Sequence, residues 1–218
     1  PRSSRPPTTA PTAPPPPEAV KVTIAPARCI AEESIEFDWA GETARQVGTV
    51  MHRLLQYIGR SGIEQLASQD LTHLEQVGRV LLIQTGVTQA HFNQARAQLS
   101  AALKTLWQDE RGRWILSGQH AEARCEWAVS GMRKDGPDHI VMDRTFVDAA
   151  GTRWIIDYKT GSHMGGDIEV FLDSEQTRYR AQLERYADLM QQMEQRPIRL
   201  GLYFPMLGGW REWPYTAE

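Results

Sequence analysis

Cysteine is scarce in this sequence, with only Cys29 and Cys125 among 218 residues. Two thiols are too few for a disulfide framework or for a four-cysteine zinc or iron–sulfur site, so any metal has to be held by oxygen and nitrogen. Long apolar runs are missing too. No stretch reaches the roughly eighteen residues that a membrane span requires, and no basic-then-apolar leader is present. Neither a spanning helix nor a secretory signal is therefore expected, and the cytoplasm is the default compartment. Positive charge is not in surplus either. Net charge is −3, and because Arg2 and Arg5 outweigh Glu18 in the first twenty residues, residues 21–218 carry −4. Proteins that hold nucleic acid unaided usually present a basic face, because phosphate neutralisation supplies much of their affinity. If DNA is the substrate, something else is expected to hold it.

What the chain does contain begins with proline. Pro1, Pro6, Pro7, Pro11 and Pro14 to Pro17 crowd the first seventeen residues, with serine and threonine between them. This composition favours extended, unfolded backbone, and residues 1–20 read as an interdomain linker. The chain opens without a methionine, which suggests a piece of a longer protein. A short Val22-Thr23-Ile24 stretch either docks as an edge strand or stays loose. From about Thr43 the period becomes helical, with Val47, Val50, Met51, Leu54, Leu55 and Ile58 on one stripe. Amphipathic segments follow at about 63–84 (Leu66, Leu71, Leu74, Val77, Val80, Leu81) and 88–109 (Phe92, Ala95, Leu99, Leu103, Leu106), which read as a helical subdomain or cap. Strand patterns occupy roughly 113–116, 121–130, 139–148 and 152–159, then a Gly-rich loop, a helix at about 174–195, and strands near 198–204 and 210–213. Helices, antiparallel strands, helix, strand describes one α/β domain over residues 21–218, with a mixed sheet flanked by helices.

The chemistry concentrates in one predicted hairpin. Ile140–Val147 and Arg153–Lys159 are rich in β-branched and aromatic residues and are joined by Asp148-Ala149-Ala150-Gly151. A turn centred on Ala150 pairs residues whose numbers sum to about 300, which sets Asp143 opposite Asp157. Opposed residues have Cβ atoms only about 5 Å apart, so two carboxylates there repel unless a cation lies between them. A hard divalent ion such as Mg²⁺ resolves the conflict. Lys159 shares the face of Asp157, and Tyr158 points to the other. Gly151 can supply the left-handed position of the loop.

Other candidates need a partner to mean anything. His52 lies on the first helix one turn after Gly48, whose missing side chain would leave the imidazole accessible; the alternative is a hydrogen-bonded core histidine. Glu126 sits among apolar strand neighbours and could be a further ligand, with Glu122 a rival on the same face and a plain salt bridge the alternative for both. On the late helix Gln182 and Tyr186 are four apart on one face, with Arg178 and Arg185 nearby, a set able to hydrogen-bond phosphate or bases. Glu175 and Arg180 are read as facing solvent.

In order along the chain, Gly48-Thr49-Val50-Met51-His52-Arg53-Leu54-Leu55, Glu126, Met142-Asp143-Arg144, Ile155-Ile156-Asp157-Tyr158-Lys159-Thr160-Gly161 and Gln182-Leu183-Glu184-Arg185-Tyr186 resemble the nuclease domain of RecB- and AddA-type helicase-nucleases, within the PD-(D/E)xK superfamily. The resemblance runs from about residue 40 to the end. It implies a restriction-endonuclease-like fold with an added helical segment before the sheet, and Mg²⁺-dependent cleavage of DNA, with Mn²⁺ able to substitute. Carried over by position, it makes His52, Asp143, Asp157 and the Tyr158 main-chain carbonyl metal ligands, Lys159 the catalytic lysine, and Gln182 and Tyr186 a DNA-contacting motif. It further implies a single-stranded DNA substrate, a helicase motor upstream in the same chain, a possible second helicase-nuclease subunit, and a role in recombinational repair. The cysteines that hold an iron–sulfur cluster in some relatives are absent, and Met142 stands where the superfamily's proline would be. Two rivals remain: a DNA-binding or scaffolding module without cleavage, and a metal hydrolase of small phosphorylated substrates.

Overall fold

The computed structural model describes residues 33–66, 70–133, 136–161 and 165–216. The proline-rich segment, Val22–Ile24 and the centre of the Gly-rich loop lie outside them. Helices α1 (Glu33–Ser61), α2 (Asp70–Gln84), α3 (Phe92–Gln108) and α4 (Glu110–Ile115) precede strands β1 (Ala121–Arg133), β2 (Gly136–Val147) and β3 (Arg153–Tyr158). Helix α5 (Ile168–Gln191) then leads to β4 (Ile198–Phe204) and β5 (Gly209–Pro214). The five strands form one sheet in sequence order, antiparallel except for the parallel β3–β4 pair that α5 connects. This is the restriction-endonuclease-like mixed sheet expected.

Two cores cover the two faces. Helices α1 to α4 enclose one, and its α1 contribution is the expected stripe of Val47, Val50, Met51, Leu54, Leu55 and Ile58. Helix α5 covers the other through Leu183, Ala187, Leu189 and Met190. Helices α2 and α3 pack against the back of α1 rather than over the sheet end, so they are a buttress and not a cap. Val80, placed on the apolar stripe from sequence, is 53% exposed, and Leu82 takes the buried position instead.

The β2–β3 hairpin has the expected register. Arg144 pairs with Ile156, Thr145 with Ile155 and Val147 with Arg153. Gly151 takes φ +80° in the connecting turn, a conformation that a side chain would strain. The Asp148 carboxylate accepts the Ala150 and Thr152 N–H groups at 2.9 Å and fixes the loop.

Other boundaries differ from the sequence reading. Helix α1 begins about ten residues early and α5 six, at Glu33 and Ile168. The expected strand at 113–116 is the end of α4 and the residue after it. Its N-cap Asp109 accepts the Arg111 and Gly112 N–H groups at 3.0 Å and is itself held by the Tyr203 hydroxyl, a partner 94 residues away that no local window contains.

Among the described residues two arginines are buried. Arg153 is gripped by Glu194 and Glu122, which also bind Arg196. Arg144 is 1% exposed and has no carboxylate partner among the described residues. It donates instead to the carbonyls of Gly59, Ile115 and Ser117, and to Cys125 Sγ. Gly59 and Ile115 lie in the last turns of α1 and α4, where carbonyls lack helical partners and the helix dipole favours a cation. One guanidinium thereby ties two helix ends to β2. Arg144→Met should lower unfolding free energy by about 3–5 kcal/mol in urea titrations, because the buried carbonyls lose a charged donor that a thioether cannot replace.

Candidate active site

The site forms where the β2–β3 ladder ends. One step beyond the Arg144–Ile156 pair, Asp143 and Asp157 face each other, and the ladder is completed by a side chain: Asp143 Oδ2 accepts the Tyr158 N–H at 2.8 Å. The Lys159 N–H donates to the Tyr203 carbonyl of β4. Backbone polar groups alternate sides along a strand, so the Tyr158 carbonyl points with its N–H toward Asp143.

Strands β1 and β2 exchange faces at the same level. Cys125 and Arg144 contact the α1 side, whereas Trp127, Val129, Ile140 and Met142 pack under α5. Between them Glu126 adopts φ +50°, a left-handed conformation that costs a non-glycine residue about 1–3 kcal/mol. The reversal turns the Glu126 carboxylate to the α1 side, where Oε1 lies 2.5 Å from His52 Nε2. His52 Nε2 is also 3.7 Å from Asp143 Oδ1. One ligand atom from each of His52, Glu126 and Asp143 fits within 4.8 Å. Glu122 also has positive φ, but at the β1 bulge, and its carboxylate binds Arg153 and Arg196 away from this cluster.

Asp157 completes the group from the α5 side. Its Oδ1 accepts from Gln182 Nε2 at 3.0 Å, and its Oδ2 lies 2.7 Å from Lys159 Nζ. Gln182 donates a second time to the Tyr186 hydroxyl at 2.9 Å, so the Gln–Tyr pair of α5 is built onto the aspartate. Lys159 Nζ also sits 3.3 Å from the centre of the Tyr179 ring. Tyr179 escaped the sequence reading, yet it lies three residues before Gln182 on the same helical face, and that spacing is the signal that could have found it. Glu175, one turn earlier, is only 16% exposed and does not face solvent as expected.

The flanking arginines are engaged differently. Arg185 makes a forked pair with Asp138 and reaches the His139 carbonyl, a structural clamp between α5 and β2. Arg178 is open, 3.4 Å from Glu175. The expected function of Gly48 also changes. A Cβ there would collide with Thr160 Oγ1, so the glycine admits the segment after β3 against α1 rather than clearing a path to the imidazole.

Electrostatics follow from crowding. The Asp143 carboxyl is pushed up to about 7, first by burial and then by the Asp157 charge. Asp157 is raised too, chiefly by burial, against the pull of Lys159 and Gln182. Carboxylate oxygens and an imidazole nitrogen converging at such a point fit a hard divalent cation, whose charge would relieve the repulsion.

A model of the PD-(D/E)XK nuclease superfamily matches residues 29–209. The chain belongs to that superfamily. No curated protein matches it. The superfamily's members are generally metal-dependent nucleases and phosphodiesterases, and the donor set of this PD-(D/E)XK domain suits a divalent metal. Among the described residues no helix is long and apolar enough to cross a membrane.

The raised Asp143 carboxyl sets a pH dependence. The native state binds its proton more tightly than the unfolded chain, so the metal-free protein loses stability as pH rises from the ordinary carboxylate range to about 7. Asp143→Asn should therefore raise the melting temperature at pH 8 and converge with the unmodified chain near about pH 4. Added Mg²⁺ should stabilise the unmodified chain at pH 8 and the variant much less, as thermal melts would show.

Proposed function

We propose that this is the Mg²⁺-dependent deoxyribonuclease domain of a RecB/AddA-like helicase-nuclease, hydrolysing phosphodiester bonds in single-stranded DNA during recombinational repair in the cytoplasm. The observation that carries the reading is the convergence of Asp143, Asp157 and Lys159 at one strand end, with His52 and Glu126 brought to them by α1 and β1. His52, Asp143, Asp157 and the Tyr158 carbonyl would hold the ion, which when bound supplies polarisation of the scissile phosphate and acidification of an attacking water.

The chain's own groups do the rest. Lys159 is restrained on two sides, by Asp157 and by the Tyr179 ring, so its ammonium is preorganised for charge that develops on the phosphate. Gln182 fixes the Asp157 carboxylate by one donor and spends the other on Tyr186, which leaves that phenol at the site edge to meet DNA. The net charge of −4 beyond residue 20 fits a domain to which a motor delivers the strand, because a tether raises effective concentration without intrinsic affinity. The proline-rich N-terminal segment suits such a tether.

Incubating the chain with end-labelled single-stranded DNA and Mg²⁺ should give degradation that EDTA stops. Asp157→Ala should abolish it while circular dichroism and melting remain near those of the unmodified chain. An unmodified chain that binds DNA and never cuts it would leave the silent DNA-binding module instead.

Lys159 restraint yields a second expectation. Tyr179→Leu should lower kcat about tenfold with KM little changed, whereas Tyr179→Phe, which keeps the ring face, should stay within about twofold.

A further inference from the structure

The outward face of α1 carries a polar stripe of which the site itself uses only His52. Arg45, Thr49, His52, Arg53, Gln56 and Arg60 fall on one side of the helix at its 3.6-residue period. Arg45 pairs with Glu42 at 2.7 Å, but Arg53 and Arg60 are exposed and have no ion pair among the described residues. In a chain whose charge is negative overall, two free cations one either side of Gln56 form a local exception.

Two clefts follow this stripe. The first, of about 800 Å³, runs beside Arg45, Thr49, His52, Arg53 and Gln56 and is lined also by Thr160. The second, of about 480 Å³, is bordered by Arg60, Arg124 and Trp127. Glu126 belongs to the wall of both, so they meet at the metal-ligand cluster. The second cleft adds an aromatic surface, with the Arg124 guanidinium 4.6 Å over the Trp127 ring.

The site behind this groove is recessed. The Asp143 and Asp157 side chains are 16% and 7% exposed. A rigid duplex presents its backbone on a broad convex surface, whereas a single strand can bend a phosphate inward. A cationic groove with an aromatic wall is the usual complement of a single strand, the cations tracking phosphates and the ring stacking a base.

We propose that a single polynucleotide strand lies along α1 across the mouth of the site, with Arg53 holding a phosphate beside the scissile bond and Arg60 one farther along the helix. About 10 Å of helix axis separates the two arginines, which is about three stacked nucleotide steps. Arg124, held over the Trp127 ring, offers its guanidinium plane to a base on the Arg60 side. This rests on the nuclease reading above for the position of the scissile phosphate, and it assigns the groove independently of whether cleavage occurs.

The test is fluorescence anisotropy of labelled oligo(dT) with the full chain, using Ca²⁺ in place of Mg²⁺ and a range of salt concentrations. Arg53→Ala and Arg60→Ala should each weaken binding about three- to tenfold and should each reduce the slope of log K against log salt by about 0.7. Arg79→Ala with Arg96→Ala, in a separate basic cleft that contains no site residue, should change neither quantity. Melting temperatures should be unaltered, since all four side chains are exposed. The assignment is overturned if the Arg53 and Arg60 variants bind like the unmodified chain, if the control pair weakens binding equally, if a duplex of equal length binds tighter than oligo(dT), or if the unmodified chain shows no binding at low salt. Binding that depends on Arg53 and Arg60 without Mg²⁺-dependent hydrolysis would sustain the track and remove the nuclease reading. Hydrolysis unaffected by their loss would do the reverse.

Discussion

Asp143 completes the hydrogen bonding of β3 with its side chain, accepting the Tyr158 N–H at the point where the main-chain ladder with β2 ends. That bond holds a carboxylate at the strand end in spite of burial and of Asp157 beside it, both of which favour the neutral acid. The rest of the site answers the resulting excess of acid. Lys159 and Gln182 offset Asp157 from one face of the sheet, and His52 meets Asp143 and Glu126 from the other.

The site therefore depends on two helices that never touch the same carboxylate. Helix α5 presents Tyr179, Gln182 and Tyr186 on one line, and α1 presents His52 above its buried stripe. The position of α1 is set by close approach of Thr160 to Gly48 and by Arg144, which holds the α1 and α4 ends to the strand that carries Asp143. A buried cation satisfied by carbonyls is costly to remove, and here it lies next in sequence to the acid whose geometry matters most. The strained Glu126 backbone belongs to the same design, since without the reversal its carboxylate would leave the cluster.

Much of this was legible before the fold was known. The sum rule of a short hairpin placed Asp143 against Asp157, and strand alternation put Lys159 with Asp157 and Tyr158 on the other face. The buried face of α1 also followed from period alone. The failures have one cause. Residues 113–116 read as a strand because the α4 cap is secured by the distant Tyr203, and Glu122 is not separable from Glu126 by sequence because the bulge and the left-handed backbone that part them leave no trace in composition. Tyr179 gives no local signal of its contact with Lys159, because a cation–ring contact depends on which helix face meets the strand end.

Sequence by itself determined the hairpin register, the acid pair and the lysine, because turn length and the two-residue strand period act over a few residues and carry their geometry with them. Only the tertiary structure decided which glutamate joins the site, which arginines are buried as structural pins, and which stay free along α1. Those choices depend on helix ends and strand faces meeting across tens of residues. A side chain's partner there is set by packing, which no local pattern encodes.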